Sequence, residues 1–287
     1  MIDWPDSLVQ ELASKRAIIF IGAGISSGSV SKNNPEVRPP GWKKLLSLAG
    51  EKFKRADLPF ITQLIENDKL LDAAEIIFHG TNPADKRTFF VAQFAAPDFI
   101  PSDYHSAIQG INPKIVITTN YDQIYEKQCD ALVAGHGYSV KKFSDADILD
   151  CVRSNDNLII KAHGCISSPA NLILNRSDYY AIKKNHTGFY SVLDSLLTVS
   201  TVLFLGCSMS DPDIQLVLEN TNISAPSAHP HYAVMPQGTH TALKSAMETA
   251  YNIKILEYNS ENNHADLLES LNELKLLVDS QREVTLF

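Results

Sequence analysis

Four short segments, each placed directly after an apolar run, carry residue types suited to handling a dinucleotide. Gly22-Ala23-Gly24-Ile25-Ser26 follows the run 17–21. Glycines there let backbone N–H groups approach a pyrophosphate with no Cβ in the way. The fingerprint of hydride-transfer enzymes would place Gly where Ser27 stands and a carboxylate after a second strand about twenty residues on, and this chain has neither. Thr118-Thr119-Asn120-Tyr121-Asp122 sets an amide and a carboxylate two residues apart after the next run. Both can face one ligand, or either can cap the helix that begins at Gln123. His163-Gly164 puts an imidazole, a candidate base near neutral pH, after a third run. Gly206-Cys207-Ser208-Met209-Ser210-Asp211-Pro212-Asp213 follows a fourth. Gly206 and Ser208 suit a ribose or phosphate, whereas Asp211 before Pro212 reads as a helix start.

These segments share an edge only if the runs before them are neighbouring strands. The runs 17–21, 115–118, 158–162, 202–206, 232–235 and 253–258 are short and mostly apolar, as buried parallel strands are. Helical stretches such as 121–132 and 189–197 are long enough to cross between them. The expected fold is therefore α/β, a doubly wound, mostly parallel Rossmann-like sheet whose strand ends form the ligand crevice. Residues 27–41 hold Gly, Ser, Asn and Pro without apolar periodicity and read as a long loop. From Trp42 the spacing turns helical (Leu45, Leu46, Ala49, Phe53) and continues through 60–78 and 86–94, which predicts a small helical subdomain inserted over 42–106. A C-terminal helix over 263–280 puts Leu267, Leu268, Leu271, Leu274 and Val278 on one face to pack on the sheet. The whole of 1–287 reads as one domain.

Composition narrows the function classes. The 287 residues are 44% hydrophobic and 20% charged with a net charge of −8, and Lys and Arg form no cluster beyond short pairs such as Lys43-Lys44 and Lys183-Lys184. Direct nucleic-acid binding is not expected, because phosphate contacts need concentrated positive charge. Cys129, Cys151, Cys165 and Cys207 are too widely spaced for a zinc site, and no metal is expected. The amphipathic, charged N-terminus does not read as a signal peptide, and no run reaches the length of a membrane span, so a cytoplasmic protein is expected.

The four segments, in their order and spacing, resemble the sirtuin-like superfamily over roughly residues 15–220. They are most similar to its bacterial branch with Thr-Thr-Asn-Tyr-Asp and Ser-x-x-Asp-Pro motifs, whose members are effectors of antiviral defence that deplete NAD. The resemblance implies NAD as substrate, with Gly22, Ala23, Gly24 and Ser26 holding the diphosphate and Thr119 beside them. Asn120 would orient the nicotinamide ribose or the attacking water, and Asp122 would lie near the nicotinamide. His163 would contact the ribose hydroxyls as base or relay, and Gly206 and Ser208 would line the adenosine side. The chain departs from protein deacylases in lacking a cysteine quartet between His163 and Gly206 and in its stretch 209–213. Hydrolysis to nicotinamide and ADP-ribose is thereby favoured over peptide deacylation. A non-catalytic NAD or ADP-ribose sensor and an NAD-dependent deacylase are the alternatives. The resemblance further implies control by homo-oligomerisation, to which the tail 284–287 can add, or by a separate sensor such as a helicase-like ATPase or an Argonaute-type chain.

Overall fold

The computed structural model describes residues 1–130, 137–209 and 212–285. Ser210, Asp211, the end of the helix expected over 121–132, and the tail residues Leu286 and Phe287 lie outside them. Among the described residues nine strands follow in chain order: β1 Ile18–Ile21, β2 Val30–Ser31, β3 Phe99–Ile100, β4 Ile115–Thr118, β5 Tyr138–Lys142, β6 Asn157–Lys161, β7 Val202–Leu205, β8 His231–Pro236 and β9 Ile253–Tyr258. Seven make one sheet in the order β5-β6-β4-β1-β7-β8-β9, every pair parallel. The expected α/β doubly wound, Rossmann-like architecture is borne out. Among the described residues no helix is long and apolar enough to cross a membrane.

The central strands β1, β4 and β7 are almost wholly apolar because both faces are covered. Successive side chains point to opposite faces. Ile19, Ile21, Val116, Ile159, Leu203 and Leu205 thus join one core, beneath the helices Asp6–Ala13 and Asp103–Ile111 and the Leu271, Leu274 and Val278 stripe of the helix Glu261–Thr285. Ile18, Phe20, Ile117, Ile160, Val202 and Phe204 join the other, with the helices Thr187–Val199 and Pro212–Ser224. Arg282 fastens the terminal helix by donating to the backbone carbonyls of Leu12, Ala13, Ile111 and Asn112. Those carbonyls lie at the C-terminal ends of two helices, where a cation also meets the negative end of the helix dipole.

Helices Trp42–Phe53, Leu58–Glu66, Leu70–Phe78 and Pro83–Phe94 form a third core, shared with Tyr121, Cys165, Ile166, Leu172 and Leu174 from the loops of the sheet. The helix Asp103–Ile111 belongs to the sheet face instead. The pattern read as helical over 60–78 is two helices, broken where Asp68 takes a left-handed φ of 57°. Two features went unread in the sequence. The loop 27–41 contains β2, paired antiparallel with β3. β5 is an edge strand of half-buried and exposed residues, so no apolar run marks it.

Candidate functional site

Register delivers the four segments to one edge. Ile21 pairs with Thr118 and with Leu205, and Thr118 pairs with Lys161, so β1, β4, β6 and β7 end level. The residues that follow line a single cavity of about 1080 Å³ between this edge and the inserted helices. Gly22, Ala23, Gly24 and Ser26 come to it from β1, Thr119, Asn120 and Asp122 from β4, His163 from β6, and Gly206 and Ser208 from β7. All ten residues singled out in the sequence therefore meet at one place.

What each does there is more specific than the sequence suggested. The Gly22 N–H donates to the Leu205 carbonyl and the Gly24 N–H to the Gly206 carbonyl, both at 2.9 Å. Those two amides are thus occupied by the neighbouring turn rather than held open for a diphosphate. Glycine is needed for that close approach. A Cβ on Gly22 would stand 2.4 Å from the Gly206 oxygen, and one on Gly206, at φ 64°, would stand 2.5 Å from the Ile25 nitrogen. Gly22 and Gly206 lock β1 to β7 at the point where strand order reverses, the usual ligand crevice of such sheets.

Asn120 is held from two sides. Its Nδ2 donates to the Gly22 carbonyl at 3.1 Å and to Ser26 Oγ at 3.0 Å, and its own N–H donates to Thr118 Oγ1 at 3.0 Å. The carbonyl acceptor fixes which end of the amide carries nitrogen. Asn120 Oδ1 takes no hydrogen bond among the described residues. Ser26, buried, donates its hydroxyl hydrogen bond to Asp122 Oδ2 at 2.9 Å. Asp122, also buried, spends Oδ1 on the Ile124 N–H at 3.0 Å and so caps the helix Ile124–Asp130. Capping and service to the site coexist in this one carboxylate.

Beneath the β4 turn lies a buried ion pair. Lys161 Nζ meets Glu126 Oε1 at 2.8 Å with both side chains almost fully enclosed, and it also donates to the Asp122 backbone carbonyl. Burial alone would strip the charge from Lys161, but Glu126 overrides it and holds the ammonium above its ordinary range. His163, buried, stands edge-on to Tyr179 at 5.2 Å between ring centroids, and its carbonyl accepts from the Ile173 N–H. Gly164 at φ 87° turns the chain away so tightly that a Cβ would reach the Asn171 oxygen at 2.4 Å.

The far wall comes from the insertion and from the helix Arg176–Asn185, and the sequence reading missed it. Trp42, Lys44, Lys69, Arg176 and Tyr179 all line the cavity. Arg176 pairs with Asp72 at 2.8 Å and Lys43 with Asp68 at 2.5 Å, whereas Lys44 and Lys69 have no ion-pair partner among the described residues. Trp42 was visible in sequence only as the start of a helix, because nothing local ties it to a strand end.

Residues 114–256 match the SIR2-like domain family. The NAD(+) hydrolase ThsA of Acinetobacter baumannii (strain 532279) is 25% identical over 255 residues, which is 86% of this chain and 48% of that relative. The NAD(+) hydrolase ThsA of Bacillus cereus (strain MSX-D12) is 25% identical over 220 residues, 73% of this chain and 40% of the relative. Defense-associated sirtuin 2 of Bacillus subtilis is 24% identical over 214 residues, 71% of this chain and 19% of the relative. The chain thus spans less than half the length of each of these relatives. The resemblance to the sirtuin-like superfamily is borne out.

Proposed function

We propose that this sirtuin-like chain, with its SIR2-like domain over residues 114–256, hydrolyses NAD to nicotinamide and ADP-ribose. Its similarity to proteins named NAD(+) hydrolase supports the reading. The observation that carries it is the fixed Asn120 amide. Two acceptors orient its nitrogen and leave Oδ1 as an acceptor at the cavity. A water donating to that oxygen is held for attack on the ribose C1′. The C1′–N bond breaks with its electron pair passing to the pyridinium, so nicotinamide leaves neutral and an oxocarbenium-like ribose accepts the water oxygen. The proton released by that water passes to His163 or to bulk water. Orientation and preorganised polar groups are the main sources of acceleration for such a step. Because the Gly22 and Gly24 amides are occupied, we assign the diphosphate's charge partners to Lys44 and Lys69, with Ala23 and Ser208 beside the chain of the dinucleotide.

Product analysis tests this. Purified protein incubated with NAD should release nicotinamide and ADP-ribose in equal amounts, and Asn120→Ala and His163→Ala should each lower turnover by about 100-fold or more. NAD that binds and stays intact in every assembly state would replace hydrolysis by the sensor reading. Turnover that requires an acyl-lysine peptide would replace it by deacylation. The similarity to a defense-associated sirtuin supports a role in defence, and because unrestrained NAD loss would harm the host cell we further propose a homo-oligomer or a separate sensor chain that restrains it until it is triggered. Light scattering alongside activity, with and without a candidate partner, measures that.

A further inference from the structure

We propose that Trp42 is the surface against which the pyridinium ring of the substrate lies. This rests on the dinucleotide reading of the cavity and adds the recognition of its charged base. Trp42 opens the helix Trp42–Phe53 and packs on the insertion core on one side while lining the cavity. It stands edge-on to Tyr121, 6.2 Å between centroids, and Tyr121 is the residue between Asn120 and Asp122. Tyr121 is itself fixed, with its hydroxyl on the Ile173 carbonyl at 2.6 Å and its ring against Phe90 and Phe94. Those three rings are buried, whereas Trp42 is half-buried. An indole is thereby left partly uncovered at the Asn120 end of the cavity, where the bond to be broken would sit.

The chemistry of the leaving group fits such a surface. The pyridinium is cationic before cleavage, and a cation is attracted to the face of an indole more strongly than to any other side-chain ring. Lys43, next in the chain, pairs with Asp68, which offsets its charge beside the cation. When the C1′–N electron pair moves to the ring nitrogen, the charge and the attraction both fall. Trp42 therefore serves substrate capture and product release rather than the barrier itself, and its loss should raise KM without lowering kcat.

The protein has two tryptophans. The other, Trp4, is buried against the terminal helix with its indole N–H on the Ser270 carbonyl. In a Trp4→Phe chain the emission therefore reports Trp42, and the difference between the unsubstituted chain and Trp42→Leu gives the same signal if Trp4→Phe does not fold. Asn120→Ala, added to keep NAD intact, is titrated with NAD and with ADP-ribose, which lacks the pyridinium, and calorimetry reports binding in parallel. NAD should quench the emission and ADP-ribose should not. Trp42→Leu should weaken NAD roughly 2- to 30-fold and leave ADP-ribose unchanged. NAD binding with unmoved emission, or equal quenching by ADP-ribose, overturns the assignment while leaving hydrolysis standing. No calorimetric binding of either ligand to the unsubstituted chain removes the dinucleotide reading and this inference with it.

Discussion

Ser26 has one proton and its lone pairs, and the site engages both kinds of valence. It accepts from Asn120 and donates to Asp122, so its hydroxyl sets the pitch of the amide that faces the cavity. On this geometry we propose that Ser26 positions Asn120, in place of the diphosphate contact that the resemblance implies. Ser26→Ala should lower turnover by about 10- to 100-fold through loss of orientation, with the dissociation constant for NAD within about threefold of the parent. A rise in that constant with turnover preserved would return Ser26 to the diphosphate. The residue types at this edge were legible in the sequence because each stands just after an apolar run. Their partners were not. Whether the Gly24 N–H meets a ligand or the Gly206 carbonyl depends on two turns more than 180 residues apart, and no local pattern encodes that approach.

The elements beneath the site depend on one ion pair. Lys161, the last residue of β6, reaches Glu126 on the helix after β4 and the carbonyl of the turn between them. Removing one partner strands a buried charge, whereas removing both leaves an apolar junction. Lys161→Met should therefore cost about 3–5 kcal/mol in urea unfolding, and Lys161→Met with Glu126→Leu should recover most of it. A double variant no better than the single one would show that the contact with the turn carbonyl dominates. At this scale the buried strands were readable because burial on both faces makes a continuous apolar run. β5 was not, since an edge strand needs no such run, and β2 is too short to leave a pattern. The inserted helices were readable as helices, but their place over the cavity was not, because packing between distant segments sets it.

Two buried histidines give the whole molecule a pH dependence. Burial pushes His105 down to about 4, against the pull of Asp122, and pushes His231 down to about 4. His231 also accepts the Val202 N–H on Nδ1, which requires that nitrogen to be unprotonated. The unfolded chain takes up these protons near pH 6.5 and the folded chain only near 4, so the unfolded state binds more protons between the two. Stability should be full above pH 6.5 and fall as pH drops towards 4, by up to about 3 kcal/mol for each histidine. Urea midpoints at pH 7 and pH 4.5 measure this, and a chain with His105→Gln and His231→Gln should lose most of the slope. An unchanged slope would assign it to the carboxylates.

The place of β7 beside β1 also bears on how the protein is made. A ribosome delivers β1 and its glycine turn early, β4 and β6 later, and β7 only when most of the chain has emerged. Until then the Gly22 and Gly24 amides lack their acceptors and the turn that aligns Asn120 is unsupported. At roughly 5–20 residues per second, a nascent chain spends several seconds with Asn120 synthesised but not yet set. Under the proposed activity, a chain that has not yet reached Gly206 should not hydrolyse NAD, so translation itself withholds the reaction until the sheet is nearly complete.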